Sequence, residues 1–157
     1  MTITTEREQA HPPTPQAVLQ QLRVVLRAAQ RYSAQMEKQA GLPGAQMWAL
    51  QEIVDTPGLR VGDLAVRMSL HPSTTSNLVE RLETGGYITK LRNATDQRVV
   101  KLQPTDAGLQ LVSRSPMPRR GLLPEVLGAM PVADLMQVHA GLQALVNRLD
   151  VDGGLLS

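Results

Sequence analysis

The sequence predicts a mostly α-helical protein carrying one small β-hairpin. Aromatic residues make up only 2% of the chain, while hydrophobic residues make up 42%. A core drawn from Leu, Val, Ile, Met and Ala favours helices, because large sheets recruit aromatic and β-branched side chains. Apolar residues recur at helical spacing over most of the chain, and two short runs between residues 87 and 102 alternate as paired strands do.

Residues 1–15 read as a disordered arm, polar at first and then His11-Pro12-Pro13-Thr14-Pro15. A long helix is expected from 16 to about Ala40, with Val18, Leu22, Val25, Leu26, Ala29 and Met36 on one stripe and Gly41 as its stop. A second helix covers about Gly44 to Asp55 and is broken by Thr56-Pro57-Gly58. A short helix, Val61 to Met68, is followed by the turn Ser69-Leu70-His71. Pro72 stands at a first helical position, where its missing N–H costs nothing, and that helix runs to Thr84 before Gly85-Gly86. Tyr87–Leu91 and Val99–Leu102 are the strands, with a polar tip at 92–98. Another helix starts at Thr105-Asp106 and ends before Pro116 and Pro118. A short helical piece carries Leu123, Val126 and Leu127. Pro131 opens the last helix, striped by Leu135, Val138, Leu142, Leu145, Val146 and Leu149. Residues 151–157 read as a frayed tail.

Composition removes several function classes. The chain has no Cys, which excludes disulfides, thiolate metal sites and thiol chemistry. His11, His71 and His139 have no second ligand at metal spacing within a predicted element. Thr84-Gly85-Gly86 is a helix stop and not a phosphate-cradling loop. No catalytic constellation and no cofactor are expected, so the protein is read as a non-enzyme. The N-terminus lacks a basic-then-apolar leader, and no apolar run approaches a bilayer span, so a cytoplasmic protein with no membrane partner is expected. Net charge is only +2, so any nucleic-acid argument has to come from charge placement.

Two short helices joined by a tight turn and followed by a hairpin have the order of a winged helix-turn-helix. In the second of these helices Thr75, Leu78, Val79 and Leu82 share the inward face. Ser73, Thr74, Ser76, Asn77, Glu80 and Arg81 share the outward one. Short polar residues near a helix N-terminus suit a major groove, and the helix dipole there suits phosphate. Lys90, Arg92, Arg98 and Lys101 cluster on the hairpin against the single acid Asp96. A projecting basic loop can place an arginine in the minor groove, where the potential is most negative.

These pieces resemble the multiple-antibiotic-resistance regulator (MarR) family. The resemblance is carried by Leu64-Ala65, Pro72-Ser73-Thr74-Thr75-Ser76-Asn77-Leu78-Val79-Glu80-Arg81-Leu82-Glu83, Gly85-Gly86-Tyr87-Ile88, Asp96-Gln97-Arg98 and Thr105-Asp106-Ala107-Gly108. It is strong over about residues 44–110. It implies a sequence-specific regulator of transcription that binds double-stranded DNA as a homodimer, acting as a ligand-responsive repressor on a pseudo-palindromic operator. It implies that Asp96 orients the wing, that Arg98 reaches DNA, and that Ser73, Thr74, Ser76 and Asn77 face bases and phosphates. It further implies an aromatic small-molecule effector in a cleft beside the long helix, for which Tyr32, Met36 and Trp48 are the candidates. Asn77 departs from the arginine many relatives carry, and Thr75 from a usual aliphatic residue.

The implied organisation is an N-terminal dimerisation helix over 16–43, the winged helix-turn-helix lobe over 44–103 and C-terminal dimerisation helices over 104–150. Independently of the resemblance, the apolar stripes of the first and last helices are too long for one small lobe to cover, and a second copy would bury both. The alternative reading is a winged-helix protein-interaction module without DNA binding; two arginines together at the wing speak against it.

Overall fold

The computed structural model describes residues 12–92, 99–116 and 119–151. The expectations for the N-terminal arm over 1–11, for the wing tip over 93–98 and for the tail over 152–157 lie outside the described residues. Seven helices and a three-stranded antiparallel sheet are described.

The long helix α1 (Pro15–Ala40) begins where Thr14 Oγ1 accepts the Ala17 N–H at 3.2 Å. It stops at Gly41, whose left-handed φ of 78° lets its N–H close back on Glu37 O. Helix α2 (Gly44–Asp55) starts hard against α1. The Gly44 N–H donates to Ser33 Oγ at 3.0 Å, and a Cβ at Gly44 would come into van der Waals contact with Ser33.

The next elements are β1 (Leu59–Arg60), α3 (Val61–Met68) and α4 (Pro72–Thr84). Both helices keep the bounds expected from the sequence. The turn between them needs Ser69 at φ 54°, the only non-glycine left-handed residue among those described. The wing is β2 (Ile88–Arg92) and β3 (Val100–Pro104), and the sheet order is β1-β3-β2. The sequence pattern does not predict strand β1. It pairs Leu59 with Leu102 and Arg60 with Lys101, so the hairpin becomes a sheet with β3 in the middle.

Helix α5 (Asp106–Arg114) is capped by Thr105, whose Oγ1 accepts the Gly108 N–H and donates to Gly86 O at 2.7 Å. Gly108 lies so close to the Tyr87 carbonyl that a Cβ could not fit. The Thr-x-x-Gly spacing thereby locks the start of α5 onto the entrance of the wing.

The core gathers Met36 of α1, Met47, Leu50 and Ile53 of α2, Leu64 and Met68 of α3, Val79 and Leu82 of α4, and Ile88, Leu102 and Leu111. Trp48 and Tyr87 pack only at its edge, so the centre is aliphatic and thioether, as the composition dictates. Thr75 is fully buried, and its hydroxyl donates to His71 O at 3.2 Å, which satisfies it.

Helices α6 (Leu122–Ala129) and α7 (Val132–Val151) have no buried residue among the described side chains. Helix α7 makes only sparse contact with the rest of the chain. Leu26 of α1 is 59% exposed and Met136 of α7 is 68% exposed. No helix among the described residues is long and apolar enough to cross a membrane.

Candidate nucleic-acid interface

Helix α4 presents its first two turns to solvent. Its N-cap is His71, whose Nδ1 accepts the Ser73 N–H at 3.3 Å, so an imidazole fills the place where a short oxygen side chain is preferred. Inward, Thr75, Val79 and Leu82 are buried. Outward, Ser73, Thr74, Ser76, Asn77 and Arg81 are all exposed.

The four short polar residues are not equivalent. Ser73 Oγ lies 2.8 Å from His71 Nδ1, and Ser76 Oγ donates to Pro72 O at 2.9 Å. Both hydroxyls are partly committed to the helix itself. Thr74 and Asn77 make no side-chain hydrogen bond among the described residues and keep their full donor and acceptor capacity. Helical spacing puts Ser73, Asn77 and Arg81 in one row, with Thr74 beside them.

On the wing, Lys90 is only partly exposed and its Nζ lies 2.6 Å from Glu83 Oε2 at the end of α4. That pair ties the hairpin to the end of α4, so Lys90 serves as a strut. Arg92 is exposed and in no ion pair among the described residues. Asp96 and Arg98 lie outside the described residues.

A second cluster joins the lobe to the connector before α6. Glu52 of α2 accepts from Arg120 Nε at 2.6 Å, from Trp48 Nε1 at 3.1 Å and from Arg67 Nη1 at 3.4 Å. Arg120 also donates to Asp55 Oδ2 at 2.6 Å, and Arg67 to Thr56 Oγ1 at 2.8 Å. The Glu52 side chain is 9% exposed. Burial pushes its carboxyl pKa up. The hydrogen bonds from Arg120, Trp48 and Arg67, with the charge of Arg120, outweigh that and hold it below the ordinary value. Sequence reasoning singles out neither Glu52 nor Arg120. A charged residue on an apolar helix face gives a signal only once its partner is known, and here the partner is 68 positions away.

Beside this cluster is a cleft of about 270 Å³ between α1, α2 and the start of α6. Tyr32, Ser33, Trp48 and Arg120 line it, with Leu122, Leu123 and Pro124 opposite. Two of the three residues expected there, Tyr32 and Trp48, are on its wall. Met36 is one turn further along α1 and is fully buried in the lobe's core, outside the lining. Burial, with the nearby charge of Glu125, raises the Tyr32 pKa.

Comparison with known proteins places this geometry. Residues 40–99 match the MarR family. Through that segment the chain resembles the MarR family. The match to the family covers α2, β1, α3, α4 and β2, and stops before β3. Over 73 residues the chain is 37% identical to the HTH-type transcriptional repressor MdtR of Bacillus subtilis (strain 168). That alignment covers 46% of this chain, and the chain spans less than half, 46%, of that relative's length. Among solved structures, the S. aureus MepR–DNA complex superposes with a TM-score of 0.61 at 19% identity, covering 88% of this chain and 100% of that one. The regulator BldR of Sulfolobus solfataricus gives 0.57 at 20% identity, covering 85% and 94%. At such identities the likeness establishes a shared MarR winged-helix fold.

Proposed function

We propose that this protein is a transcriptional regulator that binds double-stranded DNA sequence-specifically as a homodimer and represses by occupying a pseudo-palindromic operator. The observation that carries the reading is the exposed, uncommitted pair Thr74 and Asn77 on the first two turns of α4, set beside a basic wing. An Asn amide matches the paired donor and acceptor that adenine presents in the major groove. The wing cations Arg92 and Arg98 would hold the flanking backbone or minor groove, with Asp96 orienting the tip. A repressor among its sequence relatives and a DNA complex among its structural neighbours support the same reading.

The dimer is supported by the exposed apolar faces of α1 and α7. Val18 and Leu22 line a groove with Val138, Leu142 and Leu145 that the subunit leaves open. A second copy laid across it would remove those side chains from water, at about 25 cal/mol for each Å² of apolar surface. Residues 16–43 and 104–150 are then the dimerisation arms, and 44–103 the DNA lobe. The cleft at Tyr32 and Trp48 lies where arm meets lobe, and an aromatic effector there would bias the separation of the two recognition helices.

The test is a selection of duplexes from a random pool, followed by anisotropy titration at several salt concentrations. A palindromic consensus with half-sites about one helical turn apart, and affinity falling steeply with salt, is the expected result. Absence of any duplex binding at low salt would refute the reading.

A further inference from the structure

The three-stranded sheet places two cations face to face. Arg60 of β1 is the direct cross-strand partner of Lys101 of β3, and both are exposed. Opposed side chains on an antiparallel pair lie about 5 Å apart at Cβ, and like charges so placed repel. Among the described residues neither takes part in an ion pair, although Asp63 stands only three positions beyond Arg60. The next residue in the row, across β2, is Leu91, also exposed, and the row beside it pairs Thr89 with Gln103. The outward face of the described strands therefore carries two cations and no acid. Strand β1 runs directly into α3, and β3 returns from the wing tip, so the pair flanks the recognition unit.

We infer that Arg60 and Lys101 form a backbone-phosphate anchor, a contact to duplex DNA separate from the recognition helix and the wing tip. The inference rests on the DNA-binding reading above. A like-charge pair that weakens the free protein is retained where an anion neutralises it, and a phosphodiester reaching the outer face of the sheet supplies that anion. Arg60 offers a planar fork and Lys101 a point charge, a combination suited to one or two adjacent phosphates. Such a contact adds affinity and salt dependence without reading sequence.

The experiment compares the parent with Arg60→Gln/Lys101→Gln, using Arg7→Gln, ahead of α1 in the sequence, as a control for net charge. Each is titrated against the selected duplex and against random duplex across a salt series, and thermal melts are taken without DNA. The double variant is expected to bind both duplexes about tenfold or more weakly at physiological salt. Its log–log salt slope should be shallower by about 0.9 for each phosphate that is no longer neutralised. Its consensus should be unchanged, and its melting temperature equal to the parent's or higher. Unchanged affinity and slope, with the parent's consensus intact, would overturn the anchor while leaving the DNA reading in place. Weaker binding with a lower melting temperature and an unchanged slope would mark a structural role and overturn it equally, as would an equal weakening in Arg7→Gln. A parent that binds no duplex would remove both the anchor and the reading beneath it.

Discussion

Arg120 Nε meets Glu52 Oε1 at 2.6 Å, and this bridge, beside the one from Arg120 Nη2 to Asp55 Oδ2, joins the connector before α6 to the helix that packs on both halves of the helix-turn-helix. The carboxylate is nearly buried while half of the Arg120 side chain faces water. Solvent therefore screens the pair, and Arg67 remains as a second donor when Arg120 is removed. Arg120→Ala is expected to destabilise the fold by about 1 kcal/mol, a fall in melting temperature of about 2–4 °C for a chain of this size. Calorimetry checks it; an unchanged melting temperature would mean that the bridge carries no net stability.

The same carboxylate gives a signed pH dependence. Glu52 titrates below its ordinary value of 4.5, so its contribution is fully present above that value and is lost as pH falls through the folded-state value. Glu52→Gln lacks this contribution. The stability gap between parent and variant should narrow on acidification below about pH 4.5. Parallel melting curves across the acid range would show that the depression is not realised.

Asn77→Ala should change which duplexes are chosen more than how tightly random duplex is held. A good bidentate base contact discriminates by about 1–3 kcal/mol. Thr74→Ala, on the neighbouring position, should have a smaller effect of the same kind. Random-site selection with each variant reads the outcome, and identical consensus sequences would dismiss the assignment of α4's row.

Gly108→Ala forces a Cβ against the Tyr87 carbonyl at the junction of wing and α5. Overpacking of this sort costs about 1–3 kcal/mol, and it falls on backbone that cannot swing away. Gly62→Ala, in the open on α3, meets nothing and should raise stability by about 0.5 kcal/mol. Paired urea titrations distinguish the two sites; equal effects would show that the close approach at Gly108 does not constrain the fold.

Leu142→Glu places a charge in the groove that α1 and α7 leave open. It should leave the subunit folded but monomeric, and weaken operator binding far more than the binding of random duplex. Sedimentation velocity reports the first part and anisotropy the second. A dimer that survives the substitution would move the interface elsewhere.

The helical part of this architecture is legible in the sequence because Pro and Gly punctuate it: Pro72 and Gly85 bracket α4, and Gly41 ends α1. Strand β1 is not legible. Two residues, Leu59 and Arg60, are too few to show alternation, and they become a strand only because β3 is there to pair with. The candidate interface is half legible. Spacing alone separates the inner and outer faces of α4, whereas the commitment of Ser76 to Pro72 and of Lys90 to Glu83 appears only in three dimensions. Met36 belongs to the same limit. Helical period puts it on Tyr32's side of α1, but α1 passes from the cleft onto the lobe between those residues, and Met36 is claimed by the core.

Strand β3 is hydrogen-bonded on both sides, to β1 ahead of α3 and to β2 behind α4. With Thr105 latched to Gly86 and Lys90 to Glu83, the hairpin has no hinge of its own at its base. A pull on the wing is therefore delivered to the whole lobe at once. In the proposed dimer the two reading heads would then keep their internal shape and change only their distance and tilt, so the proposed aromatic effector between arm and lobe would act on DNA as calipers do, by spacing alone.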